Sequence, residues 1–430
     1  MSITRRNFIK AAGATAALAA VPGLVRGATT LPVPRKVIVV GGGFAGSTVA
    51  KYIRLWSGGK IAVTLVDPSP SHVSCVLSNL VLNGRMQLSE LTIAHSKLGP
   101  YGVQSVQGQV TRTDPAARSV TLQNGSTLTG DRLILAMGIG FGKVDGWTDQ
   151  TKIPHAWIAG QQTTTLRDQL RALPAGGTFV MTVPKAPYRC PPLPYERACL
   201  VADTMKRKGG GKVVVLDANS SIQAEAETFN RAFKGIYSGI VSYYQDVTLK
   251  SVSIDSAGMR TVKTTRGDFK GGVTNILPPH QAPDSVMNSG LVPAGSLWAP
   301  VDPLTYESTL FPGVHVIGDS QGTGQPKSGH MANSQAKVCA DAIVRMSQGF
   351  NPLTDTDRTA NVTTNSACYS PITYSEASWL TANFRYDTDP KSTTYRNMNL
   401  VQLGEAAQWN SGNYEDMFQW ASNLFTDSFA

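Results

Sequence analysis

The sequence predicts an α/β fold in which two parallel-sheet units of strand, turn, helix and strand are followed by a smaller C-terminal region. Three observations carry that expectation. The apolar run Lys36 to Val40 enters the turn Gly41-Gly42-Gly43-Phe44-Ala45-Gly46, and a helix-compatible stretch, Ser47 to Trp56, precedes a second strand, Ile61 to Asp67. A second unit of the same construction opens at Gly177 to Val183 and closes at Lys212 to Asp217. A third apolar strand, Gly313 to Ile317, ends in Gly318-Asp319. At 430 residues the chain exceeds one usual core, so two or three domains are expected.

The N-terminus is set apart by its charge. Formal net charge is +10, but Arg5, Arg6, Lys10 and Arg26 lie in a leader without acids, which leaves +6 for the remainder. That dispersed excess fits solubility or an acidic protein partner rather than nucleic acid. Thr4-Arg5-Arg6-Asn7-Phe8-Ile9-Lys10, followed by apolar Ala11 to Val25, reads as a twin-arginine export signal over residues 1–28, with cleavage near Gly27 or Ala28. The apolar run is too short, and too rich in Ala and Gly, for a membrane span. The mature chain is therefore expected in the periplasm, where disulfides persist.

The first glycine turn has G-x-G-x-x-G spacing at Gly41, Gly43 and Gly46. In that pattern the first glycine makes the turn, the second admits a pyrophosphate against the backbone, and the third lets helix and strand pack closely. Asp67 ends the second strand, where an acid bonds a ribose hydroxyl. Downstream, Ser71 to Asn79 reads as a polar loop carrying Cys75. Val103 to Val110, Ser119 to Leu122 and Ser126 to Leu128 alternate as short strands, with Asn124-Gly125 as a hairpin turn.

The strand Asp131 to Gly138 resembles the one that completes the first FAD segment in two-dinucleotide flavoproteins of the glutathione-reductase type. The two units are then Rossmann-like domains of that type. In its pyridine-nucleotide members a second glycine fingerprint would follow Val183. Here the turn reads Pro184-Lys185-Ala186-Pro187-Tyr188-Arg189-Cys190-Pro191-Pro192, without a glycine. Proline lacks the N–H a phosphate needs and side chains block close approach, so the second unit is expected to hold no NAD. Gly318-Asp319 resembles the second FAD motif, whose acid bonds the ribitol. Pro326 to Gln335 then starts a helix whose N-terminus faces the flavin's pyrimidine edge. The expected domains are residues 29–143 with 285–357 for FAD, 144–284 for the second unit, and 358–430 for a C-terminal interface region. Thr354 to Ser366 reads as a linker. Tyr414, Met417, Phe418, Ala421, Leu424 and Phe425 fall at helical spacing, on an amphipathic helix that packs on the protein's own core or meets a partner.

Five cysteines occur, at 75, 190, 199, 339 and 368, none in C-x-x-C or C-x-x-C-H, so neither a thioredoxin-like pair nor a self-carried c-type haem is supported. No His/Cys cluster has zinc spacing, and His72, His95, His155, His280, His315 and His330 read as structural or surface residues.

The loop around Cys75, the run Tyr188 to Arg197, the segments Val301 to Ser308 and Pro326 to Gln335, and Ala367-Cys368-Tyr369-Ser370 together resemble the flavoprotein subunit of flavocytochrome c sulfide dehydrogenase. The likeness spans essentially the whole mature chain. It implies periplasmic sulfide oxidation, with electrons passing from FAD to a separate c-type cytochrome subunit, and no direct membrane span. It implies a thioether from Cys75 to the flavin, and a redox-active Cys190–Cys368 disulfide beside the flavin ring. It also implies FAD contacts from Gly41, Gly43, Phe44, Ala45, Gly46, Asp67, Val110, Ala136, Gly138, Gly318, Asp319, Lys327, Ser328 and Gly329. Chemically, HS⁻ attacks one sulfur of the disulfide, two electrons reach FAD, and sulfur leaves as a zero-valent or polysulfide product. Glu196 is the candidate acid–base, with an ion pair to Arg197 or Arg189 as its bland alternative. Cys199 and Cys339 are expected as buried free thiols, a Cys190–Cys199 bridge being the rival pairing. The nearest rival function is sulfide:quinone oxidoreductase. A non-catalytic flavin-dependent binding or assembly subunit is the alternative of another class.

Overall fold

A computed structural model describes residues 31–430, so the export signal lies outside the described residues. The first sheet is parallel throughout and built from β1 (Lys36–Val40), β2 (Ala62–Asp67), β3 (Val103–Gln107), β7 (Arg132–Leu135) and β12 (Val314–Val316), in the order β12-β7-β1-β2-β3. Its inner strands are largely apolar because both faces are covered, one by helices and the other by an antiparallel meander, whereas the edge strand β3 is mostly polar. The helix α1 (Phe44–Trp56) follows β1, and its Val49, Ala50 and Ile53 are buried beside Val37 and Val39.

The stretch expected as one strand, Val103 to Val110, divides. The half β3 joins the parallel sheet, and Val110 begins β4 (Val110–Asp114) of a separate meander with β5 (Ser119–Leu122) and β6 (Thr127–Thr129). The turn at Gly108 separates them: its N–H donates to Asp67 O at 2.9 Å, and a Cβ there would stand 2.9 Å from Leu122.

The second unit is a four-stranded parallel sheet ordered β10-β9-β8-β11, from β8 (Thr178–Val183), β9 (Lys212–Asp217), β10 (Val241–Tyr244) and β11 (Val273–Asn275). Helix α3 (Leu193–Arg207) crosses from β8 to β9, burying Tyr195, Ala198, Cys199 and Ala202 against Phe179 and Met181.

The chain then returns to the first sheet through β12 and α5 (Gly329–Ser347), which packs against α1. The presumed linker is structured: residues Thr356–Asn361 form a helix capped by Asp355, and Thr363 already lies in β13 (Thr363–Pro371). Polar composition misled there because β13 alternates, burying Thr364, Ser366, Cys368 and Ser370 on one face. Strands β14 (Ala377–Tyr386) and β15 (Met398–Glu405) complete an antiparallel sheet.

The last helix, α7 (Ser411–Phe429), lies on the protein's own core. Leu424 and Phe429 join the cluster around α1, and Tyr414 and Met417 pack on Leu200. Lys51 of α1 donates to the carbonyls of Thr426 and Asp427 at 3.1 Å, supplying partners that the helix end lacks. Among the described residues no helix is long and apolar enough to cross a membrane.

The glycine turn yields a paired prediction. A Cβ on Gly46 would stand 1.7 Å from Gly41 O, whereas one on Gly43 meets nothing nearer than His72 at 3.6 Å. Gly46→Ala is expected to lower the unfolding free energy by about 3 kcal/mol or more. Gly43→Ala is expected to cost about 1 kcal/mol, from its N-cap position alone. Urea denaturation of the two variants measures the contrast.

Candidate active site

The turn between β1 and α1 forms a cradle of backbone. Gly41 adopts φ +98°, and a Cβ on it would stand 2.5 Å from Ala136 O. Gly42 donates to Asp67 Oδ2 at 2.7 Å, while Asp67 Oδ1 accepts from Ser69 N. Gly43 occupies the N-cap of α1 with no side chain capping the helix. The protein therefore needs glycine at positions 41 and 46 for its own packing, but not at Gly43. Space left there, in front of uncapped helical N–H groups, is what a pyrophosphate requires.

Facing this cradle, Gly318 takes φ +71° and donates to Gln335 Oε1 at 3.1 Å. A Cβ on Gly318 would press on Ala45 at 3.1 Å, and one on Gly329 would lie 2.9 Å from Phe44. The starts of α1 and α5 thus meet glycine to side chain. Asp319 is buried with Oδ1 lacking any partner, and burial raises its pKa against the nearby charges of Arg189 and Lys327. An orphaned buried acceptor beside a glycine cradle fits a ligand bearing hydroxyl donors, as the ribitol of FAD does. Gly138 (φ +73°) leaves open space, and its carbonyl accepts from Ser320 Oγ at 2.5 Å. Ala136 N donates to Val40 O at 2.8 Å. Val110 stands apart on the meander, buried at the start of β4. Lys327 is buried, donates to the carbonyls of Asp319 and Gln321 at 2.8 and 2.7 Å, and rests 3.7 Å over the Trp298 ring. Burial lowers its pKa to about 7.

The corresponding turn of the second unit is occupied by the protein itself. Asn219 donates through Nδ2 to Pro184 O and accepts from Ala186 N. Asp217, at the end of β9, accepts from Tyr195 Oη at 2.7 Å, Tyr243 Oη at 2.9 Å and Asn219 N at 2.8 Å. No free carboxylate remains there for a ribose.

That turn instead carries Cys190, in the left-handed region at φ +58°, a conformation costly for a side chain with a Cβ and held by its surroundings. Cys190 N donates to Lys327 O at 2.6 Å, and Arg189 bridges the same segment. From the other side, Ser366 Oγ meets Ser328 Oγ at 2.8 Å, and Ala367 N donates to His330 Nδ1 at 3.0 Å, so β13 is tied to the start of α5. Cys190 and Cys368 are thereby brought together on the wall of one cavity, close enough for Cys368 to act on the Cys190 thiol. Cys368 and burial hold the Cys190 thiol well above its ordinary pKa, with Glu196 and Cys75 adding to the effect. All five cysteines are thiols here, so the Cys190–Cys368 bond that the resemblance implies is one two-electron oxidation away. Cys199 lies fully buried in the core of the second unit and Cys339 in that of the first; neither reaches Cys190 as a bonded partner.

The pair opens on a cavity lined also by Cys75, Arg189, Glu196 and His330. Burial raises the Cys75 thiol, and the Arg189 charge acts against that rise. Glu196 is buried on the first turn of α3, and burial lifts its pKa from 4.5 to about 8. It makes no ion pair with Arg197 or Arg189 among the described residues. Arg197 donates instead to Asn79 Oδ1 at 2.9 Å, Asn275 Oδ1 at 2.8 Å and the carbonyls of His155 and Ala156. Because arginine only donates, it orients the Asn79 amide, whose Nδ2 then donates to Glu196 Oε1 at 2.9 Å.

Sequence reasoning missed Arg189, Asn79 and His330 as site residues. His330 is no surface residue: Nδ1 accepts from Ala367 N and from Trp420 Nε1 at 3.3 Å, which leaves its proton on Nε2. The signal for Arg189 was its place beside Cys190 in a turn without acids.

Comparison with known proteins places the site in a family. Residues 163–278 match the family described as sulfide dehydrogenase [flavocytochrome c] flavoprotein chain, central, and residues 35–167 match pyridine nucleotide-disulphide oxidoreductase. Residues 2–22 match the twin-arginine translocation pathway signal sequence. Over 47 residues the chain is 49% identical to the sulfide dehydrogenase [flavocytochrome c] flavoprotein chain of Chlorobaculum thiosulfatiphilum, 11% of this chain and 96% of that sequence. It is 22% identical over 369 residues to the mitochondrial sulfide:quinone oxidoreductase of Dictyostelium discoideum, covering 82% of this chain and 78% of the relative. The solved sulfide:quinone oxidoreductase of Aquifex aeolicus shares the fold, with TM-score 0.74, 14% identity and coverage of 92% and 91% of the two chains.

The raised pKa of Glu196 fixes the sign of a stability effect. Between pH 4.5 and about 8 the unfolded chain carries this carboxyl ionised while the folded chain keeps it protonated. Wild-type stability is therefore present below that window and lost as pH rises through it, by at most about 1.4 kcal/mol per unit. Glu196→Gln is expected to gain on wild type across that window and to level off above it, read as the difference in Tm against pH.

Proposed function

We propose, of a chain that belongs to the pyridine nucleotide-disulphide oxidoreductase flavoproteins and carries the central domain of the flavocytochrome c sulfide dehydrogenase flavoprotein chain, that it oxidises sulfide through Cys190 and Cys368 and delivers the electrons to a separate c-type cytochrome. FAD-dependent sulfide oxidation is the activity to which this family membership leads. The twin-arginine signal directs its export to the periplasm. The observation that carries the cysteine assignment is the meeting of Cys190 and Cys368, from distant parts of the chain, in a cavity shared with Cys75 and Glu196.

In the oxidised pair, hydrosulfide entering the cavity attacks one sulfur. The old S–S bond breaks, a persulfide forms, and the other cysteine leaves as a thiolate. Glu196, kept protonated to about pH 8 by burial, can give a proton to the departing sulfur and, once ionised, take one back from hydrogen sulfide or the persulfide. When bound, FAD would be held by the cradle Gly41 to Gly46, by Asp67 and by Asp319, and would supply the two-electron acceptor. Cys75 would be its covalent anchor through a thioether, keeping the cofactor bound after export. The second unit, its turn filled by Asn219 and its acid engaged by tyrosines, shapes the sulfide side of the site rather than taking NADH.

A quinone acceptor is the second reading, favoured by the likeness over most of the chain to sulfide:quinone oxidoreductases. Against it, the chain carries an export signal.

Anaerobic sulfide is expected to bleach the flavin of the purified protein within its turnover time, and NADH is not. Reoxidation by cytochrome c, faster than by a short-chain quinone, supports the cytochrome reading; the reverse order overturns it. Cys190→Ser and Cys368→Ser are each expected to lower sulfide-driven bleaching by at least about 10³-fold, as for loss of a nucleophile or leaving group. After acid precipitation the protein is expected to stay yellow, and Cys75→Ser to release all of its FAD. Glu196→Gln is expected to remove one limb of the pH–rate profile; an unchanged profile takes Glu196 out of the mechanism.

A further inference from the structure

We propose that Arg189 makes the cysteine cavity an anion-binding site, whose ligand during turnover is hydrosulfide and then the sulfur anion that its attack creates. The naming of hydrosulfide rests on the sulfide reading above; the anion site itself stands on the side chains.

Arg189 is 9% exposed, lines the cavity, and forms no ion pair with any carboxylate among the described residues. Its Nε has no hydrogen-bond partner, and its terminal nitrogen is held by the carbonyl of Trp157. A buried guanidinium with an unused N–H is costly to the fold unless an anion completes it. Its backbone cannot drift, because Arg189 N donates to His280 Nδ1 at 2.9 Å and the residue bridges Lys327.

The other ionisable groups around the cavity do not cancel this charge. Glu196 is neutral up to about pH 8. His330 is neutral, with Nδ1 accepting two N–H bonds. Asp319, outside the lining, feels Arg189, but burial shifts it toward the uncharged form. Lys327 spends its N–H groups on two carbonyls and lies against Trp298. Among the side chains that line the cavity, Arg189 is thus the one charged group at neutral pH, in surroundings of low dielectric.

The chemistry needs that charge to persist. Hydrosulfide brings one negative charge; its attack breaks the Cys190–Cys368 bond, forms one cysteine persulfide, and leaves the electron pair on the other cysteine as a thiolate. One anion enters and one anion remains, so a single fixed cation compensates both.

The test uses the holoprotein with its cysteine pair reduced by dithiothreitol, alkylated in parallel by iodoacetate, an anion, and iodoacetamide, its neutral counterpart. Mass spectrometry of the peptides carrying Cys190 and Cys368 gives the rate ratio, in which changes of thiol reactivity cancel; fully buried Cys199 and Cys339 serve as unreactive controls. Arg189→Gln is expected to lower the iodoacetate-to-iodoacetamide ratio about tenfold, and Arg189→Lys to retain most of it. Thiocyanate is expected to protect the wild-type pair from iodoacetate, a measurement that stands even if Arg189→Gln does not fold. An equal ratio in wild type and Arg189→Gln, or no protection by thiocyanate, overturns the anion site. A flavin spectrum altered in Arg189→Gln with the ratio unchanged assigns the charge to the flavin and overturns it too. Failure of wild-type flavin to bleach with sulfide, with the ratio effect intact, removes the sulfide reading and leaves the anion site standing.

Discussion

Cys190 and Cys368 both hang from one short segment, Lys327 to His330, at the start of α5. Lys327 O takes the N–H of Cys190, Ser328 holds Ser366, and His330 takes the N–H of Ala367. Cys190 belongs to the second parallel unit and Cys368 to the C-terminal sheet, so without this anchor no local force would bring them together. The same segment faces the glycine cradle, because Gly329 and Gly318 admit Phe44 and Ala45. One piece of backbone thus aligns the cofactor cradle and the thiol pair, and its hydrogen bonds are short and buried, where they count most.

The electrostatics of the cavity follow from burial. A carboxyl, an imidazole and an amine that would be charged in water are each pushed toward neutrality, Glu196 and Lys327 to about 8 and 7. Arginine alone keeps its charge under such desolvation, so Arg197 is solvated by two carbonyls and two amide oxygens while Arg189 is left incomplete. Two buried arginines eight positions apart therefore serve different ends. One fixes Asn79 and through it Glu196; the other leaves a charge facing the cavity that Cys190 and Cys368 share.

Much of this was legible in the chain. Val37 to Val40 and Val213 to Leu216 are apolar at every position because both faces of each parallel sheet are covered, one by helices and the other by a three-stranded antiparallel sheet, and the strand bounds followed within a residue or two. The turn Gly41 to Gly46 could be read because Gly41 and Gly46 answer steric demands of the fold, while Gly43 leaves space in front of the helix N-terminus. Errors arose where composition was taken for conformation. Thr354 to Ser366 looked like a linker, yet it holds a capped helix and an alternating strand whose buried face includes small hydroxyl residues. Val103 to Val110 looked like one strand, although a glycine turn sends its halves to different sheets.

By itself the sequence determined the two parallel units, the glycine turn of the first, and the absence of a glycine fingerprint from the second turn, because all three are read from residues close in the chain. It could not decide which cysteine meets Cys190, what Glu196 bonds, or whether Arg189 finds an acid. Those outcomes depend on chain segments more than a hundred residues apart, closed on one another by burial and by the hydrogen bonds of Lys327 to His330. Only the tertiary structure set Cys368 rather than Cys199 against Cys190, gave Asn79 rather than Arg197 to Glu196, and left Arg189 without a carboxylate.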